Sequence, residues 1–185
     1  MYWKPMAEGP SAAPGEDRDK RRADRRARRT GPPEGAVRRA AVADAPEIAR
    51  LLHDFNTEFS VPTPGIAVLT DTARRLLAGG ELTILLAGEG PDGLAQLQLL
   101  PSIWTGKLDA YLQELYVAPS KRGQGLGRDL LEEAMRIARE AGATRIELGT
   151  SEDDTTAIAL YESRGFSNRE DSPGGPRMLF YERDL

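Results

Sequence analysis

The sequence contains no cysteine and a single histidine, His53. The first absence excludes a disulfide framework, a thiolate zinc site and cysteine catalysis. The second excludes a multi-histidine metal site and leaves any Ser-His-Asp arrangement dependent on His53, so no metal site is expected. Long apolar runs are missing too. The longest uncharged stretch, Gly93 to Gly106, is too short and too polar for the about 20 helical residues that span a bilayer. The Arg-rich beginning carries no apolar segment of the secretory kind. A soluble cytoplasmic protein with no membrane contact is the expectation, and 185 residues allow one core domain with an extension.

The net charge of −4 conceals two unlike parts. Residues 1–35 hold nine basic and six acidic residues, whereas residues 36–185 hold 16 basic and 23 acidic, a net −7. The first segment also carries five prolines and almost no aliphatic residues, so it reads as a disordered basic extension that cannot bury enough apolar surface to offset chain entropy. Its Arg run suggests an arm for nucleic acid, but no base-reading or stacking module accompanies it, and no nucleic-acid partner is expected.

From residue 36 onward, strand and helix patterns alternate. Ala36 to Ala41 reads as a first strand. Asp44 is placed to cap a helix carrying Ile48, Leu51, Leu52, Phe55 and Phe59 at helical spacing, with Pro46 in its first turn. Val61 to Gly65 breaks it, and Asp71 to Ala78 forms a second helix. Strands follow at Leu82–Ala87, Leu94–Pro101 and Tyr111–Val117. A helix over Arg128–Ala141 places Leu130, Leu131, Ala134, Ile137 and Ala138 on one face. Arg145–Thr150 reads as a strand, Asp154–Arg164 as a helix and Arg177–Glu182 as a last strand. This order predicts an α+β fold of mixed α/β layers.

The segment Leu115 to Arg128 leaves a strand, crosses a basic loop with Gly123, Gly125 and Gly127, and opens a helix. Glycines at alternate positions let several backbone N–H groups converge on one anion where the helix dipole favours negative charge. Lys121, Arg122 and Arg128 add positive charge. An ordinary strand-to-helix turn is the alternative, but one or two glycines would serve it. A nucleoside-triphosphate loop would end in Gly-Lys-Ser/Thr, and a dinucleotide loop would read Gly-x-Gly-x-x-Gly; neither is present.

Arg122-x-x-Gly125-x-Gly127 resembles the (Gln/Arg)-x-x-Gly-x-(Gly/Ala) acetyl-CoA loop of the GNAT superfamily of N-acetyltransferases. Ala157 to Phe166 resembles that family's second signature, Ala-x-x-Leu-Tyr-Glu-x-x-Gly-Phe. The likeness covers residues 36–185 and leaves the extension outside. It implies a GNAT-like fold: a central, mostly antiparallel twisted sheet, splayed between its fourth and fifth strands and flanked by helices. It implies acetyl-CoA as co-substrate, its pantetheine arm in the gap beside Leu115, Tyr116 and Val117. The pyrophosphate would rest on the amides of Arg122, Gly123, Gln124, Gly125, Leu126, Gly127 and Arg128. Family members often carry Asn where this chain has Asp154, which would cap a helix but, when ionised, would donate no hydrogen bond to the cofactor.

The same resemblance implies direct transfer of an acetyl group to an amine of a small molecule or peptide. Glu114 would take the amine proton and Tyr161 would serve the CoA sulfur as proton donor. A solvent-facing strand carboxylate and a packed phenol are the alternatives for these two. Glu152, Asp153 and Asp154, in a domain of net −7, would attract a cationic amine. The first two helices and the loop near Ser102–Lys107 would shape the acceptor side, with Phe55 and Trp104 as candidate walls. A CoA-binding regulator without catalysis is the alternative function, and a homodimer is compatible with either.

Overall fold

The computed structural model describes residues 37–170 and 174–183. The basic extension over residues 1–35 therefore lies outside the described residues. Within them, five strands form one sheet in sequence order: β1 (Val37–Arg39), β2 (Thr83–Ala87), β3 (Gly93–Pro101), β4 (Leu108–Val117) and β5 (Ala143–Leu148). The first four pair antiparallel, and β4 pairs parallel with β5. A parallel neighbour requires a crossover, which α3 (Leu126–Glu140) supplies. Helices α1 (Ala45–Glu58) and α2 (Ile66–Ala78) precede β2, and α4 (Thr155–Ser163) follows β5. The α+β architecture is the one expected.

The apolar run of β2 is buried on both faces, as a central strand requires. Ile84 and Leu86 join Ala45, Ile48 and Leu51 of α1, with Ala73 of α2. Leu85 and Ala87 join Leu130, Leu131, Ala134 and Ile137 of α3. Burying each large aliphatic side chain contributes about 1.5–3 kcal/mol, so these two clusters fix the helices on opposite sides of the sheet.

The sheet opens where β4 outruns β5. Their pairing ends at Leu112↔Leu148, while β4 continues through Val117. On its other side, β4 pairs Glu114 with Gln96 but Leu112 with Leu97, which leaves Gln113 as an extra residue. Such a bulge bends and twists its strand. The outer half of β4 thereby parts from β5, as the expected splay requires.

Three local readings change. α2 begins at Ile66, five residues before Asp71, because Gly65 (φ +92°) turns the chain into the helix directly after Pro64. Asp44 stands at the start of α1 without capping it. Its carboxylate instead accepts the Ala41 N–H at 2.7 Å and both terminal nitrogens of Arg38, at 2.7 and 2.8 Å. Arg177–Glu182 does not form a strand; one antiparallel bridge joins Arg169 to Arg177. Two backbone bonds accompany it, Glu170 N–H to the Pro176 carbonyl and Met178 N–H to the Asn168 carbonyl. Pro176 offers no N–H and follows two glycines, which weakens the ladder at its start.

Candidate active site

After β4, a 3-10 turn over Pro119–Lys121 leads through Arg122 to Gly125, the residue that opens α3. Gly123 (φ +75°) and Gly125 (φ +93°) occupy the left-handed region, where a side chain is strained. Gly125 supplies no capping side chain, and the first amides of α3 have no carbonyl within the helix to bond. A methyl at Gly127 would lie 3.6 Å from Val117 Cγ2 and 3.8 Å from Leu160 Cδ2, ordinary contact distances. Packing alone therefore leaves room for alanine there. The bare N–H groups and the helix dipole fit a diphosphate.

The three cations of this stretch are each engaged with a carboxylate. Lys121 Nζ lies 3.5 Å from Asp92, Arg122 Nη2 is 2.7 Å from Glu58, and Arg128 Nε is 3.2 Å from Asp129. Sequence reasoning placed these cations around an anion. In the structure Lys121 and Arg122 reach from the loop to carboxylates on other elements, whereas Arg128 pairs with its neighbour Asp129. Asp92 and Glu58 were not singled out, because nothing in their local sequence announces a distant partner.

The residues beside the opening divide by face. Leu115 and Val117 pack toward α3, whereas Tyr116 is buried against Phe55 of α1, ring centroids 5.1 Å apart. Strand alternation puts Glu114 on the same face as Tyr116. Glu114 is half-buried, and burial raises its carboxyl above the ordinary carboxylate range. The Val117 carbonyl accepts a bond from Arg122 Nε at 3.0 Å.

Gln96 and Gln98 share the α1 face with Leu94, and they pair across the ladder with Glu114 and Tyr111. Gln96 Nε2 donates to Gln113 Oε1 at 2.6 Å. A polar strip thus follows the apolar patch on one sheet face. The alternation of Gln with Leu over Leu94–Leu100 was its available signal, and sequence reasoning passed over it.

On the opposite face, Asp154 caps α4, its Oδ1 accepting the Ala157 N–H at 2.9 Å. Tyr161, two turns along, is 8% exposed and packs 6.0 Å from the Phe166 ring. Burial first, and then the Asp154 charge, push its phenol up to about 12. Leu160 of α4 comes within 3.8 Å of where a Gly127 methyl would lie, so α4 packs against the start of α3. Arg164 bonds Glu132 of α3 at 3.0 Å and ties the two helices together.

His53 is half-buried, its Nδ1 3.4 Å from Thr63 Oγ1. Trp104 is 79% exposed on the hairpin between β3 and β4, whereas Phe55 is packed on Tyr116 and Phe59. Glu152 is exposed, and Asp153 bonds Ser151. Among the described residues, no group of three or more His, Cys, Asp or Glu is placed to hold a metal ion, and no helix is long and apolar enough to cross a membrane.

Residues 48–166 match the Acetyltransferase (GNAT) family. The chain is similar to a crystal structure of an acetyltransferase-like protein from Arthrobacter sp. FB24, at 45% identity and a TM-score of 0.74, covering 80% of this chain and 95% of that one. An uncharacterized N-acetyltransferase of Escherichia coli is 31% identical over 148 residues, 74% of this chain and 84% of its own length. A thialysine N-epsilon-acetyltransferase of Caenorhabditis elegans is 32% identical over 91 residues, 49% of this chain, which spans only 56% of that relative's length. With its glycine loop, its opened sheet and this match over most of the described residues, the chain belongs to the GNAT acetyltransferase family.

Proposed function

We propose that the protein is an acetyl-CoA-dependent N-acetyltransferase that moves the acetyl group directly to an amine of a small molecule or peptide. The observation that carries this reading is the opening beside β4, with a half-buried carboxylate on one side of the sheet and a buried phenol on the other. An acceptor entering along the α1 face would meet Glu114. A thioester lying through the opening would present its sulfur toward Tyr161.

An alkyl amine has a pKa of about 10, so only about one molecule in a thousand is nucleophilic at neutral pH. Glu114, raised by burial and held by no side-chain hydrogen bond among the described residues, is suited to accept that proton directly or through a water. The nitrogen then forms a bond to the acyl carbon as the carbon–sulfur bond breaks, and the electron pair leaves on sulfur. A phenol at about 12 is a weaker acid than a thiol of about 8.5, so full proton transfer from Tyr161 to the departing thiolate would run uphill. Tyr161 therefore serves the sulfur as a hydrogen-bond donor. The diphosphate would rest on the amides of Arg122, Gly123, Gln124, Gly125, Leu126, Gly127 and Arg128. Leu115, Tyr116 and Val117 would border the pantetheine arm, with the Val117 carbonyl already engaged by Arg122. Asp154 would act by holding α4 and Tyr161 in place.

The relatives carry different compounds in their names, thialysine in one and mycothiol in another, so the acceptor of this chain is taken as a class. The acidic surface favours a cationic amine. The deciding experiment is thiol release from acetyl-CoA across aminoglycosides, polyamines, amino acids and peptide N-termini. Turnover with one class supports the reading. Tight CoA binding with no turnover on any class would instead support a regulator that binds CoA without catalysis.

A further inference from the structure

The loop that would seat the diphosphate has little side-chain structure of its own. Gly123 and Gly125 contribute none, and Gln124 reaches only the Ser120 carbonyl, at 3.5 Å. Its entrance is held by Lys121 on Asp92 and, more closely, by Arg122, whose guanidinium is turned toward the α1 side. Its Nε donates to the Val117 carbonyl at 3.0 Å, and its Nη2 donates to Glu58 Oε2 at 2.7 Å. Its Cζ lies 5.9 Å from the centre of the Tyr116 ring. That ring is buried and rests on Phe55, one turn before Glu58 on the same helix. A planar guanidinium suits this position because it can bond two acceptors and face an aromatic ring at once.

Resting on the reading of residues 122–128 as the diphosphate seat, we propose that Glu58, the last residue of α1, is a positioning residue for acetyl-CoA binding. It acts by locking Arg122, and it thereby ties the cofactor loop to the helix on the acceptor side of the sheet. The pair spans 64 residues of sequence, so it fastens two elements that no local turn connects. Convergent amides bind an anion well only if they already point at it, and ordering a glycine-rich loop during binding reduces affinity. Glu58 keeps that loop ordered in advance. Linkage makes the effect reciprocal: CoA on the loop steadies the end of α1.

The sign of one substitution separates this role from simple electrostatics. Glu58 is a negative charge beside a site for a more negative ligand. By charge alone, Glu58→Gln would strengthen CoA binding. A positioning role demands the reverse.

The test is calorimetric binding of CoA to the full chain, its Glu58→Gln and Arg122→Gln variants and the double variant, with circular dichroism confirming that each is folded. Glu58→Gln is expected to weaken binding about fivefold, a magnitude suited to a partly exposed ion pair. The double variant should bind no more weakly than Arg122→Gln alone, because both changes remove the same contact. Amide exchange over Phe55–Phe59 should slow when CoA binds the unmodified chain and change less in Glu58→Gln. Equal or tighter CoA binding by Glu58→Gln, in a chain that binds CoA, overturns the positioning role alone. An unmodified chain that binds no CoA overturns both this role and the cofactor reading beneath it.

Discussion

Glu114 and Tyr161 lie on opposite sides of the sheet: Glu114 shares the α1 face of β4 with Tyr116, whereas Tyr161 is buried in the cluster beneath α3. The bulge at Gln113 and the early end of β5 open the sheet between those two sides. Two substrates approaching from opposite faces would meet there, with a proton acceptor on one side and a hydrogen-bond donor on the other. Transfer in a ternary complex needs that separation of roles, and a chain without cysteine has no cysteinyl-enzyme route.

Glu114→Gln should lower kcat by about a hundredfold, the scale of a positioned general base. The pH profile carries the sharper expectation. Burial raises the Glu114 carboxyl, so its basic form is gained only above the ordinary carboxylate range near about 4.3. kcat/KM should therefore rise with pH through this raised ionisation, and the rise should vanish in Glu114→Gln. A variant retaining both rate and profile would show Glu114 to be a bystander.

Tyr161→Phe should lower kcat by about tenfold, as expected for loss of one hydrogen bond to a developing charge. It should remove no limb of the pH profile. With its phenol pushed up to about 12, Tyr161 stays protonated throughout the range in which the protein is assayed. A basic limb below pH about 10 that disappears in the variant would mean that Tyr161 gives up its proton outright.

Much of this arrangement is legible locally. The apolar stripe of α3 and the three glycines before it sit within one stretch of chain, and each follows from spacing alone. The braces of the loop do not. Lys121–Asp92 and Arg122–Glu58 join residues from different elements, and neither partner carries a local sign of the other. Competition explains the misreadings. Asp44 has the chemistry of a helix cap, but the Arg38 guanidinium and the Ala41 N–H hold its carboxylate away from α1. Arg177–Glu182 has strand composition, but strand composition needs a paired neighbour, and its ladder stops after one bridge.

The Asp44–Arg38 pair predicts a specific acid dependence of stability. The Arg38 side-chain bond, aided by the Ala41 N–H, lowers the Asp44 carboxyl to about 2. A depressed carboxylate contributes stability above its unfolded pKa of about 3.9 and loses that contribution as pH falls through the folded value. Arg38 is half-exposed, so the contribution is limited to about 1 kcal/mol. Asp44→Asn should therefore be destabilised by that amount in urea unfolding at neutral pH. The difference should shrink between pH about 4 and about 2. A gap that stays constant over this range would assign the loss to packing rather than to charge.

Gly125→Ala tests the loop as a ligand seat rather than as a turn. At φ +93° a side chain introduces strain, and the new methyl would lie 3.2 Å from Arg128 Nη2, which must give way. Left-handed strain for an ordinary residue is about 1–2 kcal/mol, so the unliganded variant should lose roughly that much stability. The backbone can relax the strain only by rotating the amides that open α3. CoA should then bind about tenfold more weakly, and the thermal stabilisation it confers should shrink in step. Gly127→Ala, whose methyl meets only ordinary contacts with Val117 and Leu160 at a position where the loop pattern accepts alanine, should keep both the stability and the CoA affinity of the unmodified chain. Loss of stability without loss of CoA affinity in Gly125→Ala would reduce the loop to a turn.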